Sequence, residues 1–323
     1  MSAAQDTSIP GQSSHAGQDL QGDALVLYRQ CEATLGRTWQ AMADKPAESP
    51  AATIAALWHA AAGIALSPQR ASATPLPLLD LDGVARLREL ISKRSQGTPL
   101  AQLTGIQHFM GLEFSVSADA LIPRVETELL GYAALEQLRA VARDRFPRVL
   151  DICTGSGNLA LALAHHEPRA RVWGADLSAE AVALARRNAA KLHLNDRVNF
   201  LAGDLLTPFD TPEFPGNVDL LVCNPPYISS AKVDTLPEEI IRHEPRLAFD
   251  GGPLGISILQ RLINEAPRFL RPGGWLAFEV GLGQGRGVRK RVEQLGVYDE
   301  VTAIVDGEGQ VRALKARLKK IND

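Results

Sequence analysis

The residues in this chain best suited to chemistry are Asn224-Pro225-Pro226-Tyr227, which follow the apolar run Leu220-Leu221-Val222-Cys223. A planar amide or amino-purine nitrogen is a poor nucleophile, because its lone pair is delocalised, and it presents two N–H donors. The Asn224 side-chain oxygen and the Pro225 main-chain carbonyl can accept one each. Two acceptors so placed turn the nitrogen toward an electrophile and favour positive charge developing on it. The prolines stiffen the turn and fix the carbonyl direction. Tyr227 offers a flat face for an amide or a base to stack on. No general base is needed, because the proton can leave after the transfer. Asn224, Pro225 and Tyr227 are therefore the expected catalytic residues, and Pro226 joins them in holding the substrate.

A partner for this tetrapeptide lies upstream. Val149-Leu150-Asp151-Ile152-Cys153-Thr154-Gly155-Ser156-Gly157-Asn158 runs from an apolar stretch into a helical one. Gly155 and Gly157 let the backbone turn tightly and approach a ligand, with Cys153, Thr154 and Ser156 completing the loop. A lone Gly-x-Gly is a common pattern, but two further carboxylates give it weight. Asp176 ends the next apolar stretch, about twenty residues on, where a carboxylate can accept from both ribose hydroxyls. Asp204, followed by Leu205, ends the one after that and can accept from the exocyclic amine of adenine. The series points to an adenosine-containing cofactor. Asp151, directly before the loop, would repel a pyrophosphate but suits the ammonium of a methionine moiety. S-adenosylmethionine is thus favoured over a dinucleotide, with Asn224 at the methyl end of its site.

These residues need a sheet to carry them. From Arg148 onward, apolar strands expected at 149–152, 172–175, 198–201, 220–223 and 275–280 alternate with helical segments. One such helix runs from Ser178, a plausible N-cap, with Glu180 in its first turn. The alternation implies a parallel sheet wrapped by helices. The end differs: 301–305, the turn Asp306-Gly307-Glu308-Gly309 and 311–318 read as an antiparallel hairpin. Before Gly97 the texture is helical and alanine-rich, with Pro46, Pro50, Pro68, Pro75 and Pro77 dividing it into short helices. Phe109, Leu112, Phe114 and Val116, punctuated by Gly105 and Gly111, read as a hairpin over 103–116. A helix is then expected from Glu126 to Arg143.

Composition narrows the class. The chain has 323 residues, enough for a large α/β domain and a smaller one. Its hydrophobic fraction of 45% and charged fraction of 22% are those of a globular protein. No apolar run approaches the ~18 residues of a membrane span, and the first 21 residues do not read as a signal peptide. The three cysteines, Cys31, Cys153 and Cys223, are too scattered for a disulfide framework or a zinc site. The seven histidines lack ligand spacing, and His165-His166 reads as a solvated helix end. A reducing cytoplasm fits. The net charge of −3 provides no global footprint for nucleic acid.

Asp151 to Gly157, Asp176 and Asn224 to Tyr227, with Leu121-Ile122-Pro123-Arg124-Val125-Glu126-Thr127-Glu128, resemble the HemK/PrmC family of protein-glutamine N5-methyltransferases. The resemblance runs from about Gly97 to Leu318. It takes in Gly97-Thr98-Pro99-Leu100-Ala101-Gln102-Leu103-Thr104-Gly105, Phe109-Met110-Gly111, His243-Glu244-Pro245 and Gly251-Gly252-Pro253-Leu254-Gly255. It implies a class I methyltransferase core of α/β type, Rossmann-like and seven-stranded with one reversed strand, a helical N-terminal domain and a β-hairpin linker. The expected organisation is a disordered tail (1–22), a helical substrate-recognition domain (23–96), the linker (97–122) and the methyltransferase domain (123–323). It also implies methyl transfer from S-adenosyl-L-methionine to a protein glutamine. Its leading partners are class 1 peptide chain release factors, methylated in a Gly-Gly-Gln loop. A large-subunit ribosomal protein is the alternative within this chemistry, and adenine N6 is the alternative outside it. No membrane or direct nucleic-acid partner is expected. The resemblance sets Arg124 near the active-site mouth. Val125 and Cys153 depart from the family's usual Pro and Gly. The loop Asp-Ile-Cys-Thr-Gly-Ser-Gly is closer to the ribosomal-protein enzymes, while Gln284, Gly296 and Asp306-Gly307 are closer to the release-factor enzymes.

Overall fold

The structure, a computed structural model, describes residues 22–37 and 45–320. The expected tail lies outside the described residues except for Gly22, which opens the first helix. The chain forms two compact units that meet between Gln96 and Gly97.

Among its described residues the first unit contains four helices: α1 (Gly22–Gly36), α2 (Pro50–Ala61), α3 (Pro68–Ser72) and α4 (Leu81–Ser95). Pro50 and Pro68, expected to divide this segment into short helices, each open one of them, in the first turn behind a serine cap. The missing N–H of proline costs nothing there, and Ser49 and Ser67 accept from Ala52 and Arg70. α2 is buried on all sides, from Ala52 to His59. Trp58 donates its indole N–H to the Pro77 carbonyl at 2.8 Å, which ties down the proline-rich loop.

The second unit opens with a helical turn, α5 (Leu100–Thr104), whose last two residues had been expected in the hairpin. Pro99 caps it, and Gly105 closes it in the left-handed conformation. The hairpin follows as β1 (Ile106–Phe109) and β2 (Leu112–Ser115). Its two-residue turn, Met110-Gly111, has positive φ at both positions, which matches the twist of the flanking strands. Phe109, Met110 and Phe114 are fully buried in the core of this unit, against Leu130 and Leu159.

Helix α6 (Thr127–Ala142) leads into β3 (Arg148–Ile152), α7 (Asn158–His166), β4 (Arg171–Asp176), α8 (Ala179–Lys191), β5 (Val198–Ala202) and β6 (Val218–Cys223). The short helices α9 (Ser230–Val233) and α10 (Glu238–His243) precede α11 (Ser257–Phe269), β7 (Leu270–Glu279), α12 (Gly285–Gln294), β8 (Tyr298–Val305) and β9 (Val311–Leu318). The seven strands are ordered β5-β4-β3-β6-β7-β9-β8. β9 alone runs against the others, wedged between β7 and β8. This is the class I methyltransferase architecture. Alternate strand residues face opposite layers: Val149, Leu220 and Val222 meet α6 to α8, while Leu150, Leu221 and Cys223 meet α11 and α12. β7 begins earlier than expected, because the register shift against β6 absorbs Pro272-Gly273-Gly274.

The chain order reverses beside β3. From there it runs outward through β4 and β5, then returns to lay β6 on the other side of β3. That switch opens a crevice beyond the strand ends, the place where open α/β sheets bind ligands. Ile152 pairs with Cys223, so the loop starting at Cys153 and the tetrapeptide starting at Asn224 emerge side by side.

Candidate active site

The glycine loop is held from below. Asp151 is fully buried. Its Oδ2 accepts from the Thr154 hydroxyl at 2.6 Å and from Ala160 N–H at 3.1 Å, which fastens the loop to the start of α7. Its Oδ1 is buried with no hydrogen-bond partner among the described residues. Burial pushes the Asp151 carboxyl up to about 7, against the Thr154 and Ala160 hydrogen bonds, and the nearby Asp176 adds to the rise. An unpaired buried carboxylate oxygen is costly, and a cation reaching it would relieve that cost. Gly155 has φ of +55°, and a Cβ there would meet nothing within 4 Å, so the loop crest is open to the crevice. Cys153 also has positive φ, a conformation that costs an L-residue about 1–2 kcal/mol. Ser156 is buried and a Cβ on Gly157 would press on Phe200 and Ala185, so these two predicted loop residues face the interior and do not line the cavity. Asn188, fully buried, donates to the Ser156 carbonyl at 2.9 Å and bonds both main-chain groups of Ser115, linking the loop to β2.

Asp176 ends β4 facing the crevice. Its oxygens accept from Gly155 N–H at 2.8 Å and Ser178 N–H at 3.0 Å. Asp204 and Leu205 line the same cavity, but the Asp204 carboxylate is shared with Arg261 in a two-pronged ion pair at 2.7 and 3.2 Å. An adenine amine would meet a carboxylate already partly neutralised. Cys153, Thr154, Gly155 and Asn224 complete the inner wall, with Pro226 beyond them.

Pro225 is buried behind Asn224. The Asn224 Nδ2 donates to Thr127 Oγ1 at 3.0 Å, Thr127 donates to Glu279 Oε2 at 2.7 Å, and the Tyr227 hydroxyl donates to Glu279 Oε1 at 2.9 Å. Tyr227 is thus anchored from behind, its ring against Gly281. Burial, then the Glu279 charge, pushes its phenol further up, so it remains protonated.

The backbone after the tetrapeptide is bonded to the glycine-rich stretch that follows. Ile228 N–H donates to the Phe249 carbonyl at 2.9 Å, and Gly251 N–H to the Ile228 carbonyl at 2.8 Å. A Cβ on Gly251 would sit 2.5 Å from the Pro226 carbonyl, and one on Gly255 would sit 2.4 Å from that of Tyr227. Only glycine allows this approach. Gln284 seals it by donating to the Tyr227 carbonyl at 2.9 Å while accepting from Gly281.

At the mouth, the Glu244 side chain is 1% exposed. It accepts from Arg124 at 2.5 Å and from Ile122 N–H at 2.8 Å, pinning the segment before α6 to the end of α10. Val125, where the resembled family usually has Pro, is an exposed residue. Glu279 and Asn188 carried no functional reading in the sequence, and Thr127 and Gln284 entered only through the resemblance, with no role of their own.

A family model described as the methyltransferase small domain matches residues 132–257. The chain is 42% identical to the release factor glutamine methyltransferase of Moorella thermoacetica, over 72% of this chain and 79% of that one. The chain belongs to the release factor glutamine methyltransferase family. A second member, from Caulobacter vibrioides, is 34% identical over 84% of this chain and 92% of the relative. In fold, the chain is similar to the hMettl16 catalytic domain solved with a MAT2A 3′UTR hairpin. That match has a TM-score of 0.51 and 16% identity, covering 73% of this chain and 83% of that one.

Membership makes the chain an S-adenosylmethionine-dependent methyltransferase. The site fits that cofactor: the orphaned Asp151 Oδ1 suits an ammonium, and the Gly155 crest leaves room for a ligand. When bound, the cofactor supplies an electrophilic methyl group.

Proposed function

We propose that the chain methylates the side-chain amide nitrogen of a glutamine, N5, in class 1 peptide chain release factors, at their Gly-Gly-Gln motif. The observation that carries this reading is the orientation of Asn224. Its Nδ2 is committed to Thr127, so its Oδ1 is the end left for the cavity. An amide N–H of the substrate donates to that oxygen and the second donates to the Pro225 carbonyl. Asn224 and Pro225 thereby turn the nitrogen toward the methyl group and share the charge that develops on it. Pro226 and Tyr227 hold the amide plane. Asp151 binds the ammonium of the cofactor, Asp176 its ribose and Asp204 its adenine end, with Cys153, Thr154, Gly155, Ser156, Gly157 and Leu205 shaping the cradle. Action on release factors places the enzyme in the cytoplasm and in translation termination. No direct nucleic-acid contact is part of this reading.

The test is radiolabelled methyl transfer to purified release factors and ribosomal proteins, followed by mass spectrometry of the modified peptide. Label on the Gly-Gly-Gln glutamine supports the proposal. Label only on a ribosomal protein overturns the substrate assignment and keeps the chemistry.

Two further results are expected. Asp176→Ala should weaken S-adenosylmethionine binding by about 10- to 150-fold, the equivalent of roughly 1.5–3 kcal/mol in charge-assisted hydrogen bonds. Unchanged affinity by calorimetry would take Asp176 out of the cofactor site. The helical unit ending at Gln96 is assigned to substrate recognition, because an exposed glutamine loop offers few residues to grip. An interface of standard size, about 1,600 Å² in total, needs a second surface. Residues 97–323 alone should therefore bind the cofactor normally, methylate an intact factor poorly, and act on a short Gly-Gly-Gln peptide as the full chain does. Equal rates on the intact factor would refute the recognition role.

A further inference from the structure

We infer that Thr127 and Glu279 are positioning residues that set which end of the Asn224 amide faces the substrate. The inference rests on the reading of Asn224 as the group that orients the acceptor nitrogen. An asparagine amide is nearly symmetric in shape but opposite in polarity at its two ends. Turned over, Asn224 would present N–H donors to the N–H donors of a substrate amide, and the site would repel what it must hold.

The polarity is dictated by a chain of donors that starts in the core. Glu279, 2% exposed, is the last residue of β7. An ionised carboxylate only accepts. Both hydroxyls that reach it must donate: Thr127 at 2.7 Å and Tyr227 at 2.9 Å. A threonine hydroxyl has one proton. With that proton spent on Glu279, Thr127 shows only lone pairs to Asn224 and can take nothing but an N–H, the Nδ2 contact at 3.0 Å. The Asn224 oxygen is then forced to the other side. The same carboxylate anchors Tyr227, so one buried charge orders both ends of the tetrapeptide.

Protonation of Glu279 would reverse the chain. A carboxylic acid must donate from one oxygen, so one hydroxyl would have to accept, and a released Thr127 proton could turn to the Asn224 oxygen. The groups facing Glu279 are Thr127, Tyr227, Arg312 on β9 and Glu126 ahead of α6. Burial pushes the Glu279 carboxyl above the usual carboxylate range, the two hydroxyl donors and Arg312 oppose this, and Glu126 adds to it. The active form is the ionised one, so turnover should fall as pH drops through that raised value.

The experiment uses the full-length enzyme with a Gly-Gly-Gln substrate, measuring kcat, KM and S-adenosylmethionine Kd across pH. Thr127→Val keeps the shape and removes the hydroxyl. It should lower kcat roughly 10- to 100-fold with cofactor Kd within about two-fold, a loss of the size expected for one ordering hydrogen bond. Thr127→Ser should restore most of it. Glu279→Gln offers only one acceptor, so it should lose kcat similarly and also lose the acid limb of the pH profile. If Thr127→Val does not fold, Glu279→Gln carries the test. In an Asn224→Ala background, Thr127→Val should cost nothing more, because the two act as one unit. Parental kcat in Thr127→Val and Glu279→Gln, with Asn224→Ala inactive, would overturn the positioning role and leave the Asn224 reading standing. Equal damage from Val and Ser at position 127 would make the threonine merely structural. Parental kcat in Asn224→Ala itself would remove both.

Discussion

Asn224→Ala is expected to lower kcat by about 10²–10³-fold while S-adenosylmethionine binds almost as well as to the parent enzyme. The cost corresponds to roughly 2.7–4 kcal/mol, the range seen when a preorganised hydrogen-bonding group facing the reacting centre is removed. Three features of the site set this expectation. Asn224 leaves the fully buried strand β6, whose pairing with β3 holds its backbone. Its Nδ2 is tied to Thr127, so the side chain is ordered before substrate arrives. In the proposed mechanism its loss removes an acceptor from the nitrogen that gains positive charge, an interaction stronger in the transition state than in the ground state. Asp151 and Asp176, the carboxylates proposed to anchor the cofactor, stand on β3 and β4 and are untouched by the change. The cofactor affinity and the rate should therefore separate. Single-turnover methyl transfer and calorimetry on the same preparation check this. A rate within a few-fold of the parent would sink the mechanism.

The second large effect concerns stability. Glu244→Ala should destabilise the second unit by about 3 kcal/mol, the lower part of the range for removing one partner of a buried ion pair. The Arg124 side chain is 14% exposed and the Glu244 side chain 1% exposed, so the guanidinium would be left largely desolvated and unpaired. The Ile122 N–H would lose its acceptor as well. Both partners belong to segments that edge the proposed cofactor cavity, which Leu121, Pro123 and Arg124 line together with Pro245, Leu247 and Ala248. The cavity mouth should loosen along with the fold, and cofactor affinity should drop. Glu244→Gln, which keeps an acceptor for one of the two donors, should cost less. Denaturant unfolding decides it: the midpoint should fall with little change in slope. A midpoint equal to that of the parent would show that the pair contributes nothing net.

What the sequence determined by itself is what local chemistry determines. The alternation of apolar and helical stretches implied a parallel sheet, because a strand buried on both faces must be apolar throughout and its crossover must be long enough for a helix. Gly155 and Gly157 were legible because few residues take their backbone conformations, and Asn224-Pro225-Pro226-Tyr227 because its acceptors are adjacent in the chain. Ser178 was legible as a cap for the same reason: its partner, Ala181, is one turn away. Short-range effects also misled. Leu103 and Thr104 looked like the start of the hairpin, but Pro99 and Gly105 bound them into a helical turn.

The tertiary structure decided the rest. Thr127 and Glu279 are 152 positions apart, and Ile122 and Glu244 are 122 apart. A single threonine or glutamate carries no local signature that names its partner. The pairing exists only because β6 returns beside β3 and draws the ends of β6 and β7 to the start of α6. The same holds for Asp204, whose carboxylate is shared with Arg261 on α11, and for Gly251 and Gly255, whose need for a missing Cβ arises only where they meet the backbone of Pro226 and Tyr227. Hydrogen bonds and close packing depend on positions in space, and residues far apart in sequence are brought to those positions by the fold as a whole.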